Sequence, residues 1–218
     1  MPHTSENLGV IPQGADPEVI ELGGLASGMP VPPLALSDAV ALDLIHQINL
    51  QAARDLGDAY ASTAGYELVG RMVEQEGRKG KKTGQGFYDY AEDGTKRLWP
   101  KLRAFAMTGR PVEMGVADAR DRLLGAQALE TVRCLEQGVI TDPSQCDVGA
   151  LLGWGFAPWT GGPLSWIDRM GVARCVARCR GLAERYGSTR LSPPRSLVEL
   201  AARGGSVYGA EWRAALTH

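Results

Sequence analysis

Histidine is nearly absent from this chain, and its scarcity removes much chemistry at once. Among 218 residues only His3, His46 and His218 occur, two of them near the termini. A histidine-rich metal centre is therefore not expected. Cysteine is also sparse. Cys134, Cys146, Cys175 and Cys179 form no C-x-x-C pair and no zinc-ligand spacing, so they read as buried free thiols. No apolar run approaches the roughly 20 residues that a membrane-spanning helix needs. No basic region leads into an apolar core at the N-terminus, so a chain without a secretory leader and resident in the cytoplasm is expected. Lys plus Arg number 23 and Asp plus Glu 25, a net charge of −2, and nothing in that balance favours nucleic acid or an acidic membrane. The chain has neither a G-x-x-x-x-G-K-[ST] phosphate loop nor a G-x-G-x-x-G dinucleotide turn.

What is present is helical pattern broken by glycine and proline. From Pro33 the residues Leu36, Val40, Leu44 and Ile48 recur every four positions and predict one apolar helical stripe. A second helix runs through Tyr66, Leu68, Val69 and Met72 and is stopped near Gly77. Residues 91 to 113 read as a charged connector with a short helix near Trp99 to Met107, closed by Gly109-Arg110-Pro111. The clearest helix spans Val116 to Gln137, with Leu124, Ala128, Val132 and Leu135 on one face and Gly138 at its end. Thr141-Asp142-Pro143 starts another, with the proline in the first turn. A Gly/aromatic loop from Gly153 to Pro163 follows, then helix through Leu164 to Asp168 and Val172 to Tyr186. Trp154, Phe156, Trp159 and Trp166 are read as one aromatic cluster, either core or interface, or alternatively an acyl-chain wall.

One block stands apart: Gly77-Arg78-Lys79-Gly80-Lys81-Lys82-Thr83-Gly84-Gln85-Gly86-Phe87-Tyr88-Asp89-Tyr90. Its glycines allow positive φ and close backbone approach, and its aromatic end predicts a short strand near 86–90. Two readings stay open. The block is a solvated turn that shapes the fold, or Lys79, Lys81 and Lys82 meet phosphates.

The halves also repeat one another. Gly28-Met29-Pro30 followed by Pro33-Leu34-x-x-x-Asp38 returns as Gly155-Phe156-Ala157-Pro158 followed by Pro163-Leu164-x-x-x-Asp168. Each is preceded by an Asp-Pro helix opening, at Asp16-Pro17 and Asp142-Pro143. This is a duplicated helical unit. Because Asp38 and Asp168 hold equivalent places, they read as hydrogen-bonding residues that fix the preceding loop, not as catalytic groups.

The basic block is very like the G-R-x-G-R-K-x-G-x-G-F-Y-x-Y signature of the C-terminal domain of 3-hydroxyacyl-CoA dehydrogenases. Glu130-x-Val132-Arg133-Cys134-Leu135-Glu136-x-Gly138 resembles the E-x-x-R-C-L-E-E-G helix of the multifunctional fatty-acid β-oxidation enzymes, and Asp147 to Asp168 resembles their Gly/aromatic run. Pro30-Val31-Pro32-Pro33-Leu34-x-x-x-Asp38 is similar to their P-M-G-P-x-x-L-x-D. The likeness covers roughly residues 16 to 186.

The resemblance implies a mainly α fold of duplicated helical domains. A loose segment is expected over 1–15 and a first repeat, shortened at its N-terminus, over 16–110. The second repeat falls over 111–190, and a tail with one helix, Leu197 to Arg203, over 191–218. It implies a chain that serves oxidation of 3-hydroxyacyl-CoA by NAD, as the substrate-side, dimerising lobe. The Rossmann domain of such enzymes carries the NAD site and the Ser, His and Glu of catalysis, and this sequence supplies none of these. The family's catalytic Asn is expected to fall before the chain begins, and the matching place in the second copy reads Ala128-Leu129-Glu130. The resemblance places the loop Pro30, Val31, Pro32, Pro33 beside the substrate and offers Lys79, Lys81 and Lys82 to the CoA phosphates. Two departures stand out: Val31-Pro32 replaces Met-Gly, and Ala41 stands where glycine is frequent. The partners implied are an acyl-CoA and either a second copy or an NAD-binding domain. The alternative is a stand-alone binding or scaffold module that kept the fold.

Overall fold

The computed structural model describes residues 8–107, 112–210 and 212. The chain forms two compact units. One holds His3–Leu25 and Val31–Ala119, the other Ala26–Pro30 and Arg120–His218. The mainly α architecture expected from the sequence is found.

The first unit contains α1 (Pro17–Ala26), α2 (Pro33–Val40), α3 (Leu42–Leu56), α4 (Ala64–Glu74) and α5 (Leu102–Ala106). Between α4 and α5 lies a two-stranded antiparallel sheet of β1 (Tyr88–Tyr90) and β2 (Lys96–Leu98), with Tyr88 opposite Leu98 and Tyr90 opposite Lys96. The strand predicted near 86–90 is thus β1. Its partner β2 falls in the stretch read as a charged connector, whose exposed Lys96 and Arg97 hid its strand character. The turn is set by Gly94 at φ 83° and by Asp93, whose carboxylate accepts from both the amide and the hydroxyl of Thr95.

Two expectations for this unit are corrected. Residues 8–15 are not loose: Leu8, Val10, Ile11 and Ala15 are buried. Leu8 packs so closely on Gly65 that a Cβ there would meet the Leu8 backbone at 2.7 Å. Residues 1–7, like Gly109-Arg110-Pro111, lie outside the described residues. The stripe Leu36, Val40, Leu44, Ile48 does not form a core face. Leu44 and Ile48 are half exposed, while Leu34, Leu42 and Ile45 are buried. The cause is a break in the helix at Ala41, where φ is 85° and ψ 122°. Helix α2 ends and α3 starts on a new axis, so four-residue spacing does not carry across.

Ala41 is the one described non-glycine residue with positive φ. The equivalent residue of the second unit is Gly171, with φ 87° and ψ 123°. Such a conformation costs a side-chain-bearing residue about 1–3 kcal/mol, against roughly 0.4–1 kcal/mol of extra unfolded-state entropy for glycine. Ala41→Gly should therefore raise stability by about 1 kcal/mol, and Gly171→Ala should lower it by a similar amount, both read from urea midpoints. The second substitution meets no atom within 4 Å, so its cost is purely one of backbone conformation.

The second unit contains most of α6 (Val116–Glu136), then α7 (Pro143–Gly153), α8 (Pro163–Met170), α9 (Val172–Tyr186) and α10 (Arg195–Ala202). Its core joins Leu124, Ala128, Val132, Phe156, Trp166 and Leu197. Asp142 caps α7 by accepting from the Ser144 amide, with Pro143 at the first helical position. The aromatic cluster read from the sequence divides. Phe156 and Trp166 are core, whereas Trp154 and Trp159 are about half exposed. The indole of Trp154 donates to Gln127 and that of Trp159 to the Ser27 carbonyl. The four cysteines are free thiols, three of them buried; burial pushes the Cys146 thiol up to about 11.

Candidate functional site

In the first unit Pro32 is extended, at φ −62° and ψ 152°, and Pro33 opens α2. A helix begun by proline still leaves first-turn amides without partners. The Leu34 amide is met by the buried carboxylate of Glu21, from α1. The other Glu21 oxygen accepts from the Tyr88 hydroxyl at 2.7 Å. Asp38, in α2 and 1% exposed, accepts from the amides of Phe87 and Tyr88 at 2.8 and 2.9 Å and from the Tyr90 hydroxyl at 3.0 Å. Two carboxylates thus clasp one strand against α1 and α2. Burial raises the pKa of both carboxyl groups, partly countered by these hydrogen bonds. Burial also raises the phenols of Tyr88 and Tyr90.

The basic block wraps around that clasp. Arg78 is its structural cation. It is 5% exposed, and its guanidinium donates to the Gly86 carbonyl at 2.6 Å, the Tyr88 carbonyl at 3.1 Å and Asp89 at 2.6 Å. It also lies 4.5 Å over the Trp99 ring. The Lys79 carbonyl accepts from the Leu42 amide at the start of α3. Lys79, Lys81 and Lys82 all point to solvent, and Lys82 pairs with Asp43 at 2.6 Å. Pro30 and Val31 are exposed, Pro32 is half-buried and Pro33 is buried.

The second unit repeats the clasp. Asp147, from α7, accepts from the Leu164 amide at 2.8 Å, the Ser165 amide at 2.9 Å and the Tyr208 hydroxyl. Asp168 accepts from the Val207 amide at 2.9 Å and the Ser206 hydroxyl at 2.5 Å. Glu21 therefore corresponds to Asp147, Asp38 to Asp168, and Tyr88 to Tyr208. The expectation that Asp38 and Asp168 fix the loop before their helices is corrected: Asp38 accepts from Phe87, Tyr88 and Tyr90, and Asp168 from Ser206 and Val207, all far downstream in the chain. Glu21, Asp147, Tyr88, Tyr208 and Arg78 were not singled out by sequence. One signal did mark the first two, since both lie five residues after an Asp-Pro helix opening.

These four carboxylates spend their lone pairs on amides and hydroxyls, which suits positioning, and none of the four is poised as a general base. His46 is buried on α3 with Nε2 3.0 Å from Glu74, consistent with a structural histidine. Among the described residues no cluster of His, Cys, Asp or Glu could hold a metal ion, and no helix is long and apolar enough to cross a membrane. The described residues do not fit NAD. Their only sheet is an antiparallel hairpin, without the parallel crossover and glycine turn that hold a dinucleotide.

Two helical repeats, each with its own carboxylate clasp, and an exposed lysine turn in the first are the features that the comparisons must match. Residues 1–90 match the family model of the 3-hydroxyacyl-CoA dehydrogenase C-terminal domain, as the resemblance in the sequence implied. The fatty acid oxidation complex subunit alpha of Shewanella amazonensis is 32% identical over 183 residues, 83% of this chain and 25% of that protein. The subunit of the same name from Shewanella loihica is 28% identical over 212 residues, 94% of this chain and 29% of that protein. The chain thus spans less than a third of the length of these curated relatives. The crystal structure of 3-hydroxybutyryl-CoA dehydrogenase from Escherichia coli superimposes with a TM-score of 0.62 at 19% identity, over 93% of this chain and 58% of that one. That likeness shows the fold.

Proposed function

We propose that this chain is the substrate-side helical lobe of a 3-hydroxyacyl-CoA dehydrogenase in fatty-acid β-oxidation. It acts with an NAD-binding domain that these residues do not provide. The observation that carries the reading is the doubled clasp. Buried carboxylates fix the prolines and turns in place, while none remains free to move a proton. Such a lobe orients a substrate and leaves the hydride chemistry to its partner. In this reading Pro30, Val31, Pro32 and Pro33 border the acyl group, and Lys79, Lys81 and Lys82 lie where CoA phosphates pass. Assembly is a homodimer, or a pairing with the NAD-binding domain, to which the half-exposed Trp154 and Trp159 would contribute. The compartment is the cytoplasm.

The test is reconstitution. The chain alone should neither bind NADH in calorimetry nor oxidise 3-hydroxybutyryl-CoA. Adding a separately produced NAD-binding dehydrogenase domain should start NADH formation. Changing Lys79, Lys81 and Lys82 to Gln should weaken salt-sensitive acyl-CoA binding and leave the melting temperature nearly unchanged, since exposed charges contribute little. Micromolar NADH binding by the chain itself would overturn the proposal, and so would a mixture as inactive as its parts. Pro32 favours a second reading, a stand-alone acyl-CoA-binding module. It stands at the start of α2 in place of a glycine, removing an amide donor and a flexible point. Acyl-CoA binding without any stimulation of the NAD-binding domain would select that reading.

A further inference from the structure

Two loops hold equivalent places in the repeats, and they are built differently. Seven residues lie between Gly155 and Pro163, but only four between Gly28 and Pro33. The longer loop stitches itself together as a tight helical turn over Pro158–Thr160. The Thr160 hydroxyl donates to the Ala157 carbonyl at 2.6 Å, and its oxygen accepts from the Gly162 amide at 3.0 Å. The shorter loop has less means to do this, because Pro30, Pro32 and Pro33 carry no N–H. A loop poor in donors is held by what donates to it and packs on it.

That support is Trp159. Residues Ala26–Pro30 belong to the second unit, and there the Trp159 indole N–H donates to the carbonyl of the buried Ser27 at 2.7 Å. The next residue, Gly28, turns left-handed at φ 87° with its Cα against the indole edge. An added Cβ would stand 2.8 Å from Cδ1 and 2.9 Å from Nε1. The corresponding Gly155 also has positive φ, but a Cβ there would meet no atom within 4 Å. The close seat is therefore particular to the shorter loop. Trp159 is braced in turn by Arg169 of α8, whose guanidinium donates to the Trp159 carbonyl and lies 6.0 Å from the ring centroid. Met29 is buried as well, and only then does the chain emerge at the exposed Pro30 and Val31.

We infer that Trp159 is a positioning residue for substrate: through Ser27 and Gly28 it fixes the base of the loop whose tip, Pro30–Pro33, borders the acyl group. The inference rests on the reading of that loop as the acyl border. What Trp159 supplies is order. The rings of Pro30, Pro32 and Pro33 already fix φ at the tip. The freedom left to the loop lies mostly in its base, where Gly28 is intrinsically the least restricted residue, and Gly28 is the residue that the indole covers. A tip ordered in advance gives up little conformational entropy when an acyl group arrives.

The test compares the parent chain with Trp159→Phe, which keeps a ring and loses the N–H, and with Trp159→Ala, which loses both. Backbone order parameters at Gly28, Met29 and Val31 should be about 0.85 in the parent and fall toward about 0.6 in the alanine variant, with the phenylalanine variant between them. Titration with 3-hydroxybutyryl-CoA and with CoA alone reads the consequence for ligand. The parent should prefer the acyl-CoA. The variants should lose about three- to tenfold of that preference while their affinity for CoA stays the same. A general loss of fold would instead weaken both ligands together. Unchanged order parameters in both variants, a loop already mobile in the parent, or an unchanged preference for the acyl-CoA would overturn the role of Trp159 and leave the acyl border standing. A parent that binds CoA and the acyl-CoA equally, or binds neither, would overturn the acyl border itself, and the role of Trp159 with it.

Discussion

Asp38→Ala should be the most damaging polar truncation in the first unit. It removes the acceptor of two buried amides, those of Phe87 and Tyr88, and of the Tyr90 hydroxyl. A buried donor left without a partner costs about 1–3 kcal/mol, so two amides set the expected loss at about 3 kcal/mol, a large part of a small unit's stability. Urea unfolding followed by the fluorescence of Trp99, over which Arg78 stacks, reads it directly. Asp43→Ala is the control. Its partner Lys82 is about half exposed, and an exposed pair of this kind contributes roughly 0–1 kcal/mol. Similar midpoints for the two variants would mean that water replaces Asp38 without penalty, and the clasp would not be what holds the basic block.

The clasp explains which parts of this protein could be read from its sequence. Helices with a continuous stripe were legible, because α6 keeps Leu124, Ala128, Val132 and Leu135 on one axis with Gly138 at its end. Caps were legible where a single residue type decides them, as with Asp142-Pro143. The break at Ala41 was not legible from propensity, since alanine is the best helix former, and only the resemblance, which sets Ala41 where glycine is frequent, pointed to it. Strand β2 was hidden because a hairpin edge exposed to water reads as a charged connector. The duplication was visible in Pro33 to Asp38 and Pro163 to Asp168, but its second half was masked by the loss of the lysine turn. Gly204-Gly205-Ser206-Val207-Tyr208 stands for Gly84-Gln85-Gly86-Phe87-Tyr88, and only the hydrogen bonds to Asp147 and Asp168 reveal it. Among the four cations of the basic block, sequence drew attention to the lysines. Burial assigns the structural work to Arg78, because a guanidinium can satisfy several carbonyls at once and lysine cannot.

Gly86→Val should destabilise far more than Gly84→Val, for a reason other than backbone freedom. Gly84 sits at φ 73° as the left-handed cap of a short helical turn, and the nearest atom to an added Cβ is the Tyr90 carbonyl oxygen at 3.8 Å. Its cost is conformational, about 1–2 kcal/mol. Gly86 has no positive φ. A Cβ there would instead overlap the Asp38 carboxylate, which must swing away and release the amides it holds, at about 3 kcal/mol or more. The same reasoning gives a sharper test in a double-mutant cycle. With Asp38 already changed to alanine, the space at Gly86 is vacant and the amides are already orphaned. Gly86→Ala should then cost little, so the double variant should be more stable than additivity predicts by at least about 1 kcal/mol. Strict additivity would show that Gly86 and Asp38 act separately. The glycine in this block would then be required for turn geometry alone, and the close approach of α2 to the strand would not be what demands it.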